Sequence, residues 1–359
     1  MRILRRVFEA ALFVLFLSSA GSAERIRIST DLHLSQAGRE QQDAFQMLLE
    51  QPCDVLILLG DLANSGHLRE HQMVVDGLAK MDAEILVLPG NHDLTAETPP
   101  EEFQKIYASF GYDQAFARDP DSLSYAVMTE EGICLLMLDT NAWDPVRQMV
   151  QHGGIASHLA EWTAGVLETL PEGTPVIAFG HYPLSADGAN DTAGGAELLR
   201  VLSDGRVLAY FCGHRHSNGT FVSENLRQIM VGVPWSYPPF VRTIERRGAE
   251  FRSGTELIYP EGSDGLRTMR KQSADLARRM AEGSLAGTDY EGNPEAVMFF
   301  EAFFDATVNG RLEEMRNVLM TREGYRMWQD AEVKTAVKPW LLSAMEDSRE
   351  DYHEIVLGE

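Results

Sequence analysis

Five short blocks of this chain concentrate histidine, aspartate and asparagine. They are TDLHL with Asp31 and His33, GDLAN with Asp61, GNHD with Asn91, His92 and Asp93, GHYP with His181, and GHRH with His214 and His216. Carboxylate and imidazole donors without cysteine suit hard or borderline cations such as Mn, Fe, Zn or Co, divalent or trivalent. Asp31, His33, Asp61, Asn91, His181, His214 and His216 together exceed what one ion needs, so two ions are expected, and an Asp carboxylate can bridge them. A lone Asp-X-His or Gly-Asp carries no information, since either is a common turn or helix start. Five blocks in order, each directly after an apolar run, do carry it.

Those runs are the elements that must position the blocks. Ile26–Ser29, Asp54–Leu59, Ile85–Leu88, Val176–Phe179 and Val207–Cys212 read as strands, and a block follows the carboxyl end of each. Open α/β sheets place their ligands at that end. Asp31 to Asp61 and Asp61 to Asn91 each span 30 residues, the length of one βαβ unit. Glycine precedes four of the five blocks, permitting sharp turns and close approach. Helices are expected over Arg39–Leu49, Leu68–Lys80, Glu101–Ser109, His158–Leu170 and Ala196–Leu202, with further strands at Ser124–Met128 and Ile133–Asp139. The Gly-, His- and Asp-containing stretch between Asp139 and His158 reads as a loop, and Thr220–Glu245 as mostly β. Alternation followed by a β-rich half predicts a layered α/β fold. From about residue 260 the pattern changes, and apolar residues return at helical spacing (Phe299, Phe300, Phe303, Phe304; Leu312, Met315, Val318, Leu319). The expected organisation is therefore a segment 1–23, a site-bearing domain 24–259 and a helical C-terminal region 260–359 of unassigned role.

The segment 1–23 has the layout of a secretory signal peptide: Arg2, Arg5 and Arg6, a short apolar run Ala10–Leu17, then Gly21 and Ala23 at the −3 and −1 positions. Export to a periplasm or medium follows, the alternative being an uncleaved N-terminal anchor. No stable membrane insertion is expected after cleavage. Acidic residues outnumber basic ones 54 to 31, for a net charge of −23. A nucleic-acid partner, whose affinity comes from Lys and Arg on phosphates, is not expected. Cys53, Cys134 and Cys212 make an odd set with no pairing motif and read as free thiols.

The ordered blocks D-x-H, G-D, G-N-H-D, H and G-H-x-H resemble those of the calcineurin-like metallophosphoesterase superfamily over roughly residues 26–245. The resemblance implies an α/β/β/α four-layer sandwich with a dinuclear centre at the strand ends. It implies that Asp31, His33 and His216 hold one metal, that Asn91, His181 and His214 hold the other, and that Asp61 bridges. His92 would be the non-ligating histidine beside the substrate, acting as general acid while a metal-bridging hydroxide attacks phosphorus. GDLANSG followed by VLPGNHD is most similar to the cyclic-nucleotide and glycerophosphodiester phosphodiesterase branch. Purple acid phosphatases carry Tyr three residues after the bridging Asp, and phosphoprotein phosphatases carry Asp there. This chain has Asn64 at that place, which could orient His92 without adding charge.

His92, Asn64 and Asp93 are thus the candidate catalytic residues, and His152, Arg215, Asn91 and His92 the candidate substrate contacts. His67 and His71 read as exposed surface histidines, and Trp235, Tyr237 and Phe240 as ring-stacking or packing residues. A small-molecule phosphodiester is the expected substrate. The alternatives are a phosphomonoester on the same site, or a non-catalytic binding protein on this fold.

Overall fold

A computed structural model of the protein describes residues 24–184, 192–346 and 353–358. Strands β1 (Ile26–Ser29), β2 (Val55–Leu58) and β3 (Glu84–Val87) run parallel and side by side, joined through helices α1 (Arg39–Leu49) and α2 (Leu68–Leu78). β1 and β2 are buried along their whole length, as apolar strands covered on both faces must be. After α3 (Pro100–Ile106) come β4 (Ala117–Arg118), β5 (Tyr125–Met128), β6 (Cys134–Met137), β7 (Asn141–Asp144) and β8 (Met149–Gly154). Then follow α4 (Leu159–Thr169), β9 (Val176–Phe179), β10 (Thr192–Ala193), α5 (Gly195–Leu202) and β11 (Val207–Cys212). Strands β12 (Gly219–Ser223), β13 (Leu226–Met230), β14 (Phe240–Arg247) and β15 (Glu250–Leu257) complete the β-rich half.

Two large sheets result. The first has the order β16-β15-β14-β1-β2-β3, where β16 is the late strand Glu354–Leu357, and the second β12-β13-β11-β9-β6-β5-β4. Period-two alternation shows how they pack. In β6, Leu135 and Met137 join the core shared with β1, β2 and β3, while Cys134 and Leu136 face a second core with α4 and α5. In β9, Ile177 and Phe179 point to the first core, Val176 and Ala178 to the second. Helices α1 and α2 close the first core through Phe45, Leu48, Val74 and Leu78. The molecule is mixed α/β, with helices flanking two packed sheets.

The C-terminal region is helical: α6 (Asp264–Leu285), α7 (Pro294–Val308), α8 (Leu312–Met320), α9 (Glu323–Asp330) and α10 (Val337–Glu346). Ser263 caps α6 and Asn293 caps α7, where Pro294 takes the first helical position, which needs no backbone N–H. Early in α6, Met269 belongs to the sandwich core, whereas Ala277, Ala281 and Leu285 belong to a separate core with Phe299, Phe300, Phe303 and Trp328. β16 then pairs antiparallel with β15, so the chain returns to the first sheet after its helices.

The stretch expected as a loop between Asp139 and His158 instead forms the hairpin β7–β8. Its Trp143 and Val150 face each other across the pair, a signal too short to outweigh the surrounding Gly and polar residues. Among the described residues no helix is long and apolar enough to cross a membrane, and segment 1–23 lies outside them.

Candidate metal centre

The topology explains how distant blocks meet. β1, β2 and β3 are neighbours in one sheet, and β9 and β11 are parallel neighbours in the other, so five carboxyl ends open at the same edge of the sandwich. Asp31, His33, Asp61 and His216 each offer a donor atom, and these atoms lie within 4.8 Å of one another. His33 Nε2 is 3.1 Å from His216 Nε2, and His216 Nε2 is 3.2 Å from Asp31 Oδ1. Asp61 Oδ2 stands between two groups, 3.7 Å from His33 Nε2 and 3.5 Å from His181 Nε2. His181 Nε2 is in turn 3.2 Å from Asn91 Oδ1. The His214 ring lies 5.3 Å from that of His181, centroid to centroid.

This donor set fits cations. Asp31 Oδ1 is buried yet accepts no aligned hydrogen bond, while Oδ2 accepts from Thr30 Oγ1 and the His214 N–H. A buried carboxylate oxygen without a donor is costly unless a cation faces it. His181 Nδ1–H donates to the Leu59 carbonyl at 2.9 Å, which leaves Nε2 as the ligating nitrogen. The electrostatics agree. Burial holds His33 at about 4, therefore neutral. Burial pushes Asp61 up, but the His181 ring, by charge and by hydrogen bond, leads the groups that outweigh it and hold the carboxyl below its usual range. Burial pulls His181 down, but Asp61 raises it to about 9, a protonation that a cation would displace. The Asp31 carboxylate raises His216.

The backbone is unusual at these residues. Asp31 (φ 52°), His33 (48°), Asp61 (51°), His214 (65°) and His216 (52°) all adopt the left-handed conformation that L side chains avoid. The turns are also tight: a Cβ at Gly90 would strike the Asp61 carboxylate, and one at Gly213 would strike Thr30.

Surrounding groups hold this arrangement. Asp93, fully buried, accepts N–H bonds from Leu62, Ala63 and Gly90, clamping the GNHD turn onto the GDLAN turn. Asp93, expected as a catalytic residue, is thus placed beneath the turns, where its bonds position the site. Burial pushes its carboxyl up, and Asp61 adds to that. His71 is buried, not exposed as expected: it donates from Nε2 to the Asp93 carbonyl and accepts from the Tyr107 hydroxyl at Nδ1. Trp235 donates from Nε1 to the Asp31 carbonyl at 2.7 Å and packs edge-on against His33 and His216. Tyr182 lies against His214 with ring centroids 4.1 Å apart.

His92 packs edge-on to His33 at 4.6 Å, and its backbone N–H donates to Asp61 Oδ1. Its Nδ1–H donates to the backbone carbonyl of Asn64 at 2.6 Å. The Asn64 amide instead bonds Ser65 Oγ, so the main chain, not the side chain, orients His92. His152 is exposed on β8 with Nδ1 on the Gly153 carbonyl, and Arg215 is exposed between His214 and His216. Among the described contacts, neither joins the donor cluster. His67, at the start of α2, pairs with Glu97.

A family model described as calcineurin-like phosphoesterase matches residues 24–218. The 3',5'-cyclic adenosine monophosphate phosphodiesterase CpdA of Escherichia coli K12 is 28% identical over 222 residues, 56% of this chain and 74% of that protein. A probable glycerophosphodiester phosphodiesterase GpdQ of Arcobacter nitrofigilis is 26% identical over 187 residues, 50% of this chain and 63% of its own. The solved phosphopantetheinyl hydrolase PptH of Mycobacterium tuberculosis superposes with a TM-score of 0.40 and 17% identity, covering 60% of this chain and 92% of that one.

Proposed function

The chain belongs to the calcineurin-like phosphoesterase family, as a metal-dependent phosphoester hydrolase, and we propose that it cleaves small-molecule phosphodiesters with two metal ions. Asp31, His33 and His216 would hold one ion, and Asn91, His181 and His214 the other, with Asp61 shared. Two ions so held supply charge neutralisation at phosphorus and a hydroxide at neutral pH. The chain's own residues do the rest. Asp61 Oδ2 faces both donor groups while Oδ1 is occupied by the His92 N–H, which keeps the carboxylate from rotating. His92, fixed through Nδ1, is left with Nε2 to hand a proton to the departing alkoxide. Asp93, His71 and Tyr107 hold the turn that carries His92.

One observation carries this reading: five of the seven donors sit in left-handed backbone and four of them offer atoms within 4.8 Å of one another. Strain of that kind persists where surrounding structure over-determines it, and it gathers at functional sites. The diester preference is supported by the phosphodiesterase names of the two relatives. We also propose export through residues 1–23, with an uncleaved anchor as the alternative. A division into 24–259 and 260–359 is supported by the separate apolar core of the helices.

Rates on bis-(p-nitrophenyl) phosphate and p-nitrophenyl phosphate, measured with Mn, Fe, Zn or Co, test the proposal. Faster turnover of the diester is expected. Faster turnover of the monoester would replace it with a phosphomonoesterase, and stoichiometric metal without turnover of either would leave a binding protein.

A further inference from the structure

A cleft of about 1070 Å³ begins at His216 and Trp235 and runs away from the donor cluster into the C-terminal helices. Its near side is β12 and β13, with Phe221, Val222 and Met230. Its far side is α6, the end of α7 and Trp340 of α10, with Leu276, Phe304 and Val308. A phosphoryl group with a small alcohol would fill little of a space at the upper end of what ligand pockets span. The helical wall is held in place: Met269 of α6 is buried in the sandwich core, and Gln272 donates to Glu40 of α1 at 3.0 Å. Charge also limits the occupant. Among the described lining residues Arg279 is the one guanidinium, against the carboxylates of Glu40 and Glu313, so a polyanionic arm such as a diphosphate is disfavoured.

We propose that the helical region is the substrate-selecting wall of this enzyme, and that the cleft takes an uncharged, apolar arm, alkyl or acyl, on one ester of the phosphodiester. The inference rests on the phosphodiesterase reading above. Leu276 and Val222, 45% and 57% exposed, both line the cleft, and an apolar arm laid over them would remove that surface from water. With the phosphoryl group beside His216, the arm points along Trp235 toward Leu276 and Trp340.

Methyl p-nitrophenyl phosphate and octyl p-nitrophenyl phosphate share the same leaving group and differ only in the arm. The octyl ester should show kcat/KM higher by about tenfold or more, since burying even part of the extra methylenes is worth that much. Leu276→Asp should bring that ratio toward one, whereas Val318→Asp, exposed and outside the cleft lining, should leave it unchanged. Calorimetric titration of metal-free protein with octyl methyl phosphate gives a second readout: binding in the wild type, lost in Leu276→Asp. Turnover of both esters at equal kcat/KM overturns the inference alone. No turnover of either, with any metal, overturns the phosphodiesterase reading, and the titration then decides the cleft: binding lost in Leu276→Asp upholds it, and no binding overturns it.

Discussion

Around Asp61 the chain adopts backbone conformations that side chains avoid and buries carboxylates and imidazoles against each other. Around Trp328 the surroundings are regular helix: the indole stacks on Phe300 at 5.1 Å, donates to the Ala296 carbonyl, and leaves no polar group to be answered by anything else. The first region gives up about 1–3 kcal/mol for each left-handed residue and holds them by clamps such as Asp93 on three N–H groups. The second spends nothing of the kind and is held by apolar burial. Converging donors constrain residue type and conformation together, whereas a packed helical wall constrains only shape and polarity. Substitution of His92 should therefore cost chemistry, and substitution in the helical core should cost stability.

The largest effect expected is on chemistry. His92→Ala should keep bound metal and lower kcat by about 10²- to 10⁴-fold, the usual worth of a general acid. Metal analysis alongside initial rates checks it, and an unchanged kcat removes His92 from the reaction. The converse case is Trp328→Ala, which should cost about 3–5 kcal/mol in denaturant unfolding by emptying the helical core. Its metal content should not change, and a parallel loss of metal would show that the two regions are not separable.

A smaller effect links scaffold to pH. Burial lowers His71 from 6.5 to about 4, against the opposing pull of the Asp93 carbonyl, Glu70 and Glu97. Between those values the unfolded chain binds a proton that the folded chain refuses, so this contribution to stability is whole above 6.5 and is lost as pH falls toward 4. His71→Phe strands the Tyr107 hydroxyl and should cost about 1–3 kcal/mol near neutral pH. That difference from wild type should shrink in urea melts as the pH is lowered through 5. A gap independent of pH would contradict a neutral buried imidazole. The smallest effect tests the orientation of His92. Asn64→Ala should leave kcat within about twofold, because the carbonyl that holds Nδ1 belongs to the main chain.

Much of the centre was legible because its constraints are local. Asp31, Asp61, Asn91, His181 and His214 each follow an apolar strand, and glycine marks four of the five turns. What escaped depends on partners far along the chain. His71 looks like a surface residue until Tyr107 and the Asp93 carbonyl are brought to it, 36 and 22 residues away. Trp235 lies 204 residues from the Asp31 carbonyl it holds. The role of Asn64 rests on its carbonyl, which every residue possesses, so its side chain pointed the wrong way. In the fold, the β7–β8 hairpin was missed because NAWD and MVQHGG lack the continuous apolar run that marks the comparably short β1 and β2, and β16 because its EIVL follows a stretch with helical spacing.

Counting metal equivalents bound per chain by wild type and by Asp61→Ala, side by side in the same metal-buffered solution, tests the shared carboxylate most directly. Two equivalents in the wild type and fewer in the variant are predicted. One equivalent in the wild type, or two retained without Asp61, would contradict it.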